Sequence, residues 1–115
     1  MLAIEARGLR KTYGGGWPRS AGREALAGLD LSVDVGAAFG LIGLNGAGKT
    51  TFIKSLLGVV RPSAGVVRVL GKEPEDPAAR AKVGYLPERL FLPHAFTPVQ
   101  FLASVARLKG LARAD

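Results

Sequence analysis

Leu2, Ile4 and Ala6 alternate with Ala3, Glu5 and Arg7, the period-two pattern of a strand with one buried face. Gly14 to Gly22, GGGWPRSAG, is dense in turn formers and predicts an exposed loop. Leu29, Leu31, Val33 and Val35 alternate with Asp30, Ser32 and Asp34 and predict a second two-sided strand. The period then changes. Ala37-Ala38-Phe39-Gly40-Leu41-Ile42 is a short continuous apolar run, as expected of a strand covered on both faces in a parallel sheet. Thr50 to Leu57 places Phe52, Ile53, Leu56 and Leu57 at helical spacing, and Gly58 stops it. Arg61 to Gly65 reads as a turn into a strand over Val66 to Leu70, ended by Gly71. Asp76-Pro77 combines an N-cap with a first-turn proline and predicts a short helix through about Lys82, and Val83 to Leu86 reads as strand again. Thr97-Pro98-Val99-Gln100 is a capping box. It opens a helix striped by Phe101, Leu102, Val105 and Leu108 that ends near Gly110.

The alternation of strands and helices predicts an α/β fold, and 115 residues bound it to one modest domain at most. An apolar share of 48% is globular material, too high for a disordered tail. With no cysteine, the chain has no disulfide framework, thiolate metal site or Cys nucleophile, and a reducing, cytoplasmic setting fits. No apolar run approaches the roughly 18 residues of a membrane span, and MLAIEARGLRK lacks the order of a signal peptide. Membrane association is therefore expected only through a partner. The net charge is +7, and the stretch from Val35 to Lys72 holds five basic residues (Lys49, Lys54, Arg61, Arg68, Lys72) and no acid, which suits an anionic ligand as well as a solvated surface.

The chemistry lies between the apolar run and the helix that follows it. Gly43-Leu44-Asn45-Gly46-Ala47-Gly48-Lys49-Thr50 satisfies G-x-x-x-x-G-K-[ST], in the strand-to-helix context that the pattern requires. Glycines let the backbone wrap closely round phosphates with successive N–H groups inward, and the helix N-terminus adds its positive dipole end. Lys49 supplies a charge for the terminal phosphates, and the Thr50 hydroxyl suits Mg²⁺. At this chain's own residue frequencies roughly 0.01 accidental matches are expected. The plain alternative is a glycine turn whose helix is capped by Thr50.

GLNGAGKTT (Gly43 to Thr51), preceded by KTYG at Lys11 to Gly14 and followed by VGYLPE at Val83 to Glu88, resembles the opening half of an ATP-binding cassette (ABC) transporter ATPase. The three segments stand in that family's order, and the similarity runs from about Leu2 to about Arg113. The resemblance implies an incomplete P-loop NTPase fold of the ABC type over 1–115: a core over about 1–88 with the N-terminal strands and the phosphate-loop strand and helix, and the start of a helical subdomain over about 89–115. It implies ATP and Mg²⁺ as ligands, with Gly43 to Thr51 (Leu44, Asn45, Gly46, Ala47, Gly48, Lys49 and Thr50 between) on the phosphates. It further implies that Tyr13 stacks on adenine, where a surface tyrosine beside a glycine loop is the plain alternative.

Glu88 departs from the family pattern, which usually has glutamine there, touching Mg²⁺ or the attacking water. A carboxylate can ligate Mg²⁺ beside Thr50 but cannot donate a hydrogen bond as an amide does. The plain alternative is a solvent-facing Glu88 paired with Arg89. Glutamate at this position resembles a branch of exporter ATPases. His94, in Leu92-Pro93-His94-Ala95, stands too early in family order for the switch histidine and reads as a loop residue, as Trp17 does in its Gly/Pro loop.

The aliphatic strand ending in Asp-Glu and the Leu-Ser-Gly-Gly-Gln segment of the family do not follow Thr50. Leu26-Ala27-Gly28-Leu29-Asp30 resembles the former only superficially, because it precedes the phosphate loop. The expectation is an N-terminal portion of an ATPase subunit that energises export, lying on the inner face of the membrane through a permease, with a second ATP-binding subunit as dimer partner. Alone, the chain is expected to bind nucleotide weakly without turnover, and to expose apolar edges where flanking strands are missing. The rival is a stand-alone, non-hydrolytic nucleotide-binding or regulatory module. Nucleic-acid binding is disfavoured, since aromatic and basic residues do not interleave as on a single-strand platform.

Overall fold

The structure, a computed structural model, describes residues 1–14, 22–43 and 48–111. It comprises β1 (Leu2–Tyr13), β2 (Arg23–Asp34), α1 (Lys49–Leu56), β3 (Ala64–Val69), α2 (Pro77–Arg80) and α3 (Pro98–Leu108). The chain packs as two units, Met1–Val83 and a second that begins at Gly84. The fold is α/β.

In the first unit, β1 is the centre of a three-stranded sheet of order β2-β1-β3, antiparallel on both sides. The alternation of Leu2, Ile4 and Ala6 holds only as far as Arg7. Gly8 takes a left-handed φ of 53° and adds one residue to β1, so that the next core side chain is Leu9. The amide freed by this bulge donates to Asp30 Oδ1 at 2.7 Å. Gly28, with φ 98°, adds one residue to β2 at the same level, so the two bulges cancel and the β1–β2 ladder returns to its earlier register at Arg10↔Ala27.

One face of the sheet is apolar because of this pattern, and α1 covers it. Ala6, Leu9, Leu26, Phe52 and Val67 form the core, with Ile4, Leu29, Leu31 and Leu56 packed against them. Phe52 is the helix's main anchor, and burying one such side chain stabilises the fold by about 1.5–3 kcal/mol. α1 turns at Leu57 and Gly58 as expected. After β3, Leu70 and Gly71 form a two-residue turn, both with positive φ, closed by the Val69–Lys72 backbone pair. Asp76 caps α2 by accepting from the Ala78 amide at 2.8 Å.

Two expected strands are absent. Residues 37–42 and 83–86 are irregular, and Phe39, Leu41, Ile42, Tyr85 and Leu86 are exposed, Ile42 at 96%. An apolar run becomes a parallel strand only when neighbours satisfy its N–H and C=O groups and cover both faces, and no strand among the described residues pairs with either segment.

The second unit carries α3, whose capping box is complete. The Thr97 amide donates to Gln100 Oε1 at 2.9 Å and the Gln100 amide to Thr97 Oγ1 at 3.2 Å. No residue of α3 is buried, and the expected stripe lies open at Leu102, Val105 and Leu108.

Candidate nucleotide site

The helix that begins at Lys49 is preceded by Gly48 in a left-handed conformation, φ 92°. A Cβ at Gly48 would stand 2.4 Å from the Ala25 carbonyl oxygen and 3.0 Å from Leu26 Cδ2. Only glycine allows the turn to enter α1 while touching β2. Lys49 extends back from the first turn, and its Nζ donates to the Gly43 carbonyl. The side chain thus reaches from the start of α1 to Gly43, and Leu44, Asn45, Gly46 and Ala47 lie outside the described residues.

Thr50 is exposed at the second position of α1, whereas Thr51 is buried against the sheet, and its carbonyl accepts from Ser55 Oγ at 2.8 Å. No acidic side chain occupies the first turn, so the exposed helix end keeps its positive character. Among the described residues no group of three or more His, Cys, Asp or Glu is placed to hold a metal. Mg²⁺ that keeps water and phosphate oxygens needs only one or two protein ligands, and an exposed Thr50 hydroxyl beside an acid-free helix start fits such a metal–nucleotide pair.

Tyr13, the last residue of β1, is brought to this helix by the packing of Phe52. Its hydroxyl lies 3.4 Å from Thr51 Oγ1, long for a bond between hydroxyls. Its ring is 40% exposed, and Lys11 Nζ stands 5.2 Å from the ring centroid. Lys11 was not singled out by the sequence. The signal that finds it is the i, i+2 spacing on a strand, which puts both side chains on one face. The contact of Ala25 with the Gly48 turn has no signal in the sequence at all.

Glu88 lies in the second unit, exposed in a bend with Arg89, and the two form no ion pair. Of the plain alternative, the solvent-facing Glu88 is seen and the pair with Arg89 is not. His94 is exposed in a turn, and Trp17 lies outside the described residues. Asp30, in the segment that superficially resembles an Asp-Glu strand, holds the Gly8 bulge amide and has a structural task.

The sequence model of the ABC transporter family matches residues 26–112, well over half of the chain. The chain belongs to the ABC transporter family. It is 40% identical over 112 residues to an uncharacterized ABC transporter ATP-binding protein of Synechocystis, covering 97% of this chain and 32% of that one. It is 37% identical to the Nod factor export ATP-binding protein I of Cupriavidus metallidurans, over 97% of this chain and 35% of that protein. Against the daunorubicin/doxorubicin resistance ATP-binding protein DrrA of Streptomyces peucetius it is 34% identical, over 94% and 31%. The solved structure of an ATP binding subunit of an ABC transporter superposes with a TM-score of 0.78 at 32% identity, over 97% of this chain and 45% of that chain. The chain spans about a third of the length of the curated ABC relatives it matches. No helix among the described residues is long and apolar enough to cross a membrane.

Proposed function

We propose that this chain is the phosphate-binding part of an ABC ATPase subunit that couples ATP binding and hydrolysis to transmembrane export. The observation that carries it is the Gly43–Thr50 pattern opening α1, with Gly48 left-handed and Lys49 donating to the Gly43 carbonyl. Gly43 to Thr51 hold the phosphates, Lys49 neutralises the terminal ones, Thr50 ligates Mg²⁺, and Tyr13 stacks on adenine. The metal, when bound, draws charge from the phosphate oxygens. About residues 1–88 form the domain core with the phosphate loop, and about 89–115 the start of a helical subdomain. A permease and a second ATP-binding subunit are the partners, at the inner face of the membrane. Two relatives whose names concern export and drug resistance support that direction.

This chain binds Mg-ATP without turning it over, because the groups that polarise water follow later in the family's order. Calorimetry and phosphate release on the 115-residue chain test both statements. Binding that Lys49→Ala abolishes, without phosphate release, is expected. Magnesium-dependent hydrolysis lost in Lys49→Ala would overturn the second statement, and absence of ATP binding the first.

A further inference from the structure

We propose that Lys11 is a positioning residue for base recognition: its ammonium caps one face of the Tyr13 ring, leaving the opposite face for a purine. This rests on the reading that Tyr13 stacks on adenine. The Lys11 ammonium stands 5.2 Å from the ring centroid, within the reach of a cation–π contact, and the Tyr13 hydroxyl meets Thr51 Oγ1 at 3.4 Å. The hydroxyl end lies beside the first turn of α1, and one π-face carries the ammonium of Lys11 from the same strand.

Both contacts follow from local geometry. Lys11 and Tyr13 are two positions apart on β1 and so share a face, and that face is the one α1 covers. A flexible tyrosine at the end of a strand loses rotamer freedom when a base stacks on it. A ring already capped on one face by Lys11 loses less. The cation also draws π-density toward its own side, which weakens the repulsion between the other face and the π-cloud of an incoming purine. Lys11 acts through the ring and touches neither base nor phosphate, so its effect belongs to the base and not to the charge of the ligand.

The test compares affinities of the full chain for Mg-ATP and for magnesium inorganic triphosphate, which has phosphates and no base. Tyr13→Leu is expected to lower the preference for ATP by about tenfold. Lys11→Met is expected to lower it by about two- to fivefold while leaving triphosphate affinity unchanged, and Lys11→Arg to restore it. In a Tyr13→Leu background Lys11→Met should add nothing. Equal losses for ATP and triphosphate would overturn the proposal, since Lys11 would then act as a general charge on phosphate. So would a Lys11→Met effect that persists without the ring. If Tyr13→Leu itself leaves the preference intact, the stacking reading falls. If Tyr13→Leu lowers it and Lys11→Met does not, only the present inference falls.

Discussion

The Tyr13 hydroxyl stands 3.4 Å from Thr51 Oγ1 although 38 positions separate them. Helix packing closes that gap, because Phe52, next to Thr51, is fixed among Ala6, Leu9, Leu26 and Val67. Phe52→Ala is expected to cost about 3–5 kcal/mol in denaturant unfolding, whereas Tyr13→Phe costs about 1 kcal/mol or less. Comparable losses would show that the hydroxyl contact, and not the apolar anchor, holds the helix.

Lys49 bonds the Gly43 carbonyl at the surface of the first unit, so Lys49→Ala should leave the fold intact and remove nucleotide affinity. Circular dichroism within error of wild type, together with at least about a tenfold rise in Kd for Mg-ATP, is the expected pair of results. A collapsed spectrum would mean that Lys49 is structural.

Gly48→Ala meets two obstacles, a φ of 92° and a Cβ placed 2.4 Å from the Ala25 carbonyl. A loss of about 1–3 kcal/mol in unfolding free energy is expected, with nucleotide binding weakened in the same variant. Wild-type stability would show that the turn relaxes freely.

Leu70 is the one described non-glycine residue with positive φ, 51°, and it precedes Gly71 in the β3 turn. Asn-Gly suits such a turn. Leu70→Asn is expected to raise stability by about 1 kcal/mol, read as a higher denaturant midpoint at unchanged slope.

Thr97→Ala removes the side chain that accepts from the Gln100 amide. It should destabilise α3 by about 1 kcal/mol, seen as faster amide exchange in residues 98–101 while the amides of β1 are unaffected.

Helices with caps were readable from the sequence because a cap is a local device: Asp76 and Thr97 satisfy amides two and three residues away. The first half of β1 and the second half of β2 were readable by alternation and β3 by the turns that flank it, whereas the other halves of β1 and β2 lie beyond bulges, and the bond from the Gly8 amide to Asp30 is not local. The runs 37–42 and 83–86 carry strand composition, yet a strand is a property of its neighbours, and none among the described residues pairs with them. In the site, Lys49 and Thr50 were legible from spacing, while the Ala25 wall behind Gly48 and the Lys11 contact depend on how chain segments meet.

The extra residue at Gly8 also decides which way the end of β1 looks. Counting by twos from Ile4 and Ala6 reaches even numbers only, and an unbroken strand would aim Tyr13 away from α1. One inserted glycine converts even to odd, so Leu9, Lys11 and Tyr13 inherit the helix-bearing side. A β1 that kept all its residues but paired without the bulge would keep every side chain of the nucleotide site and present its aromatic platform to the wrong half of space.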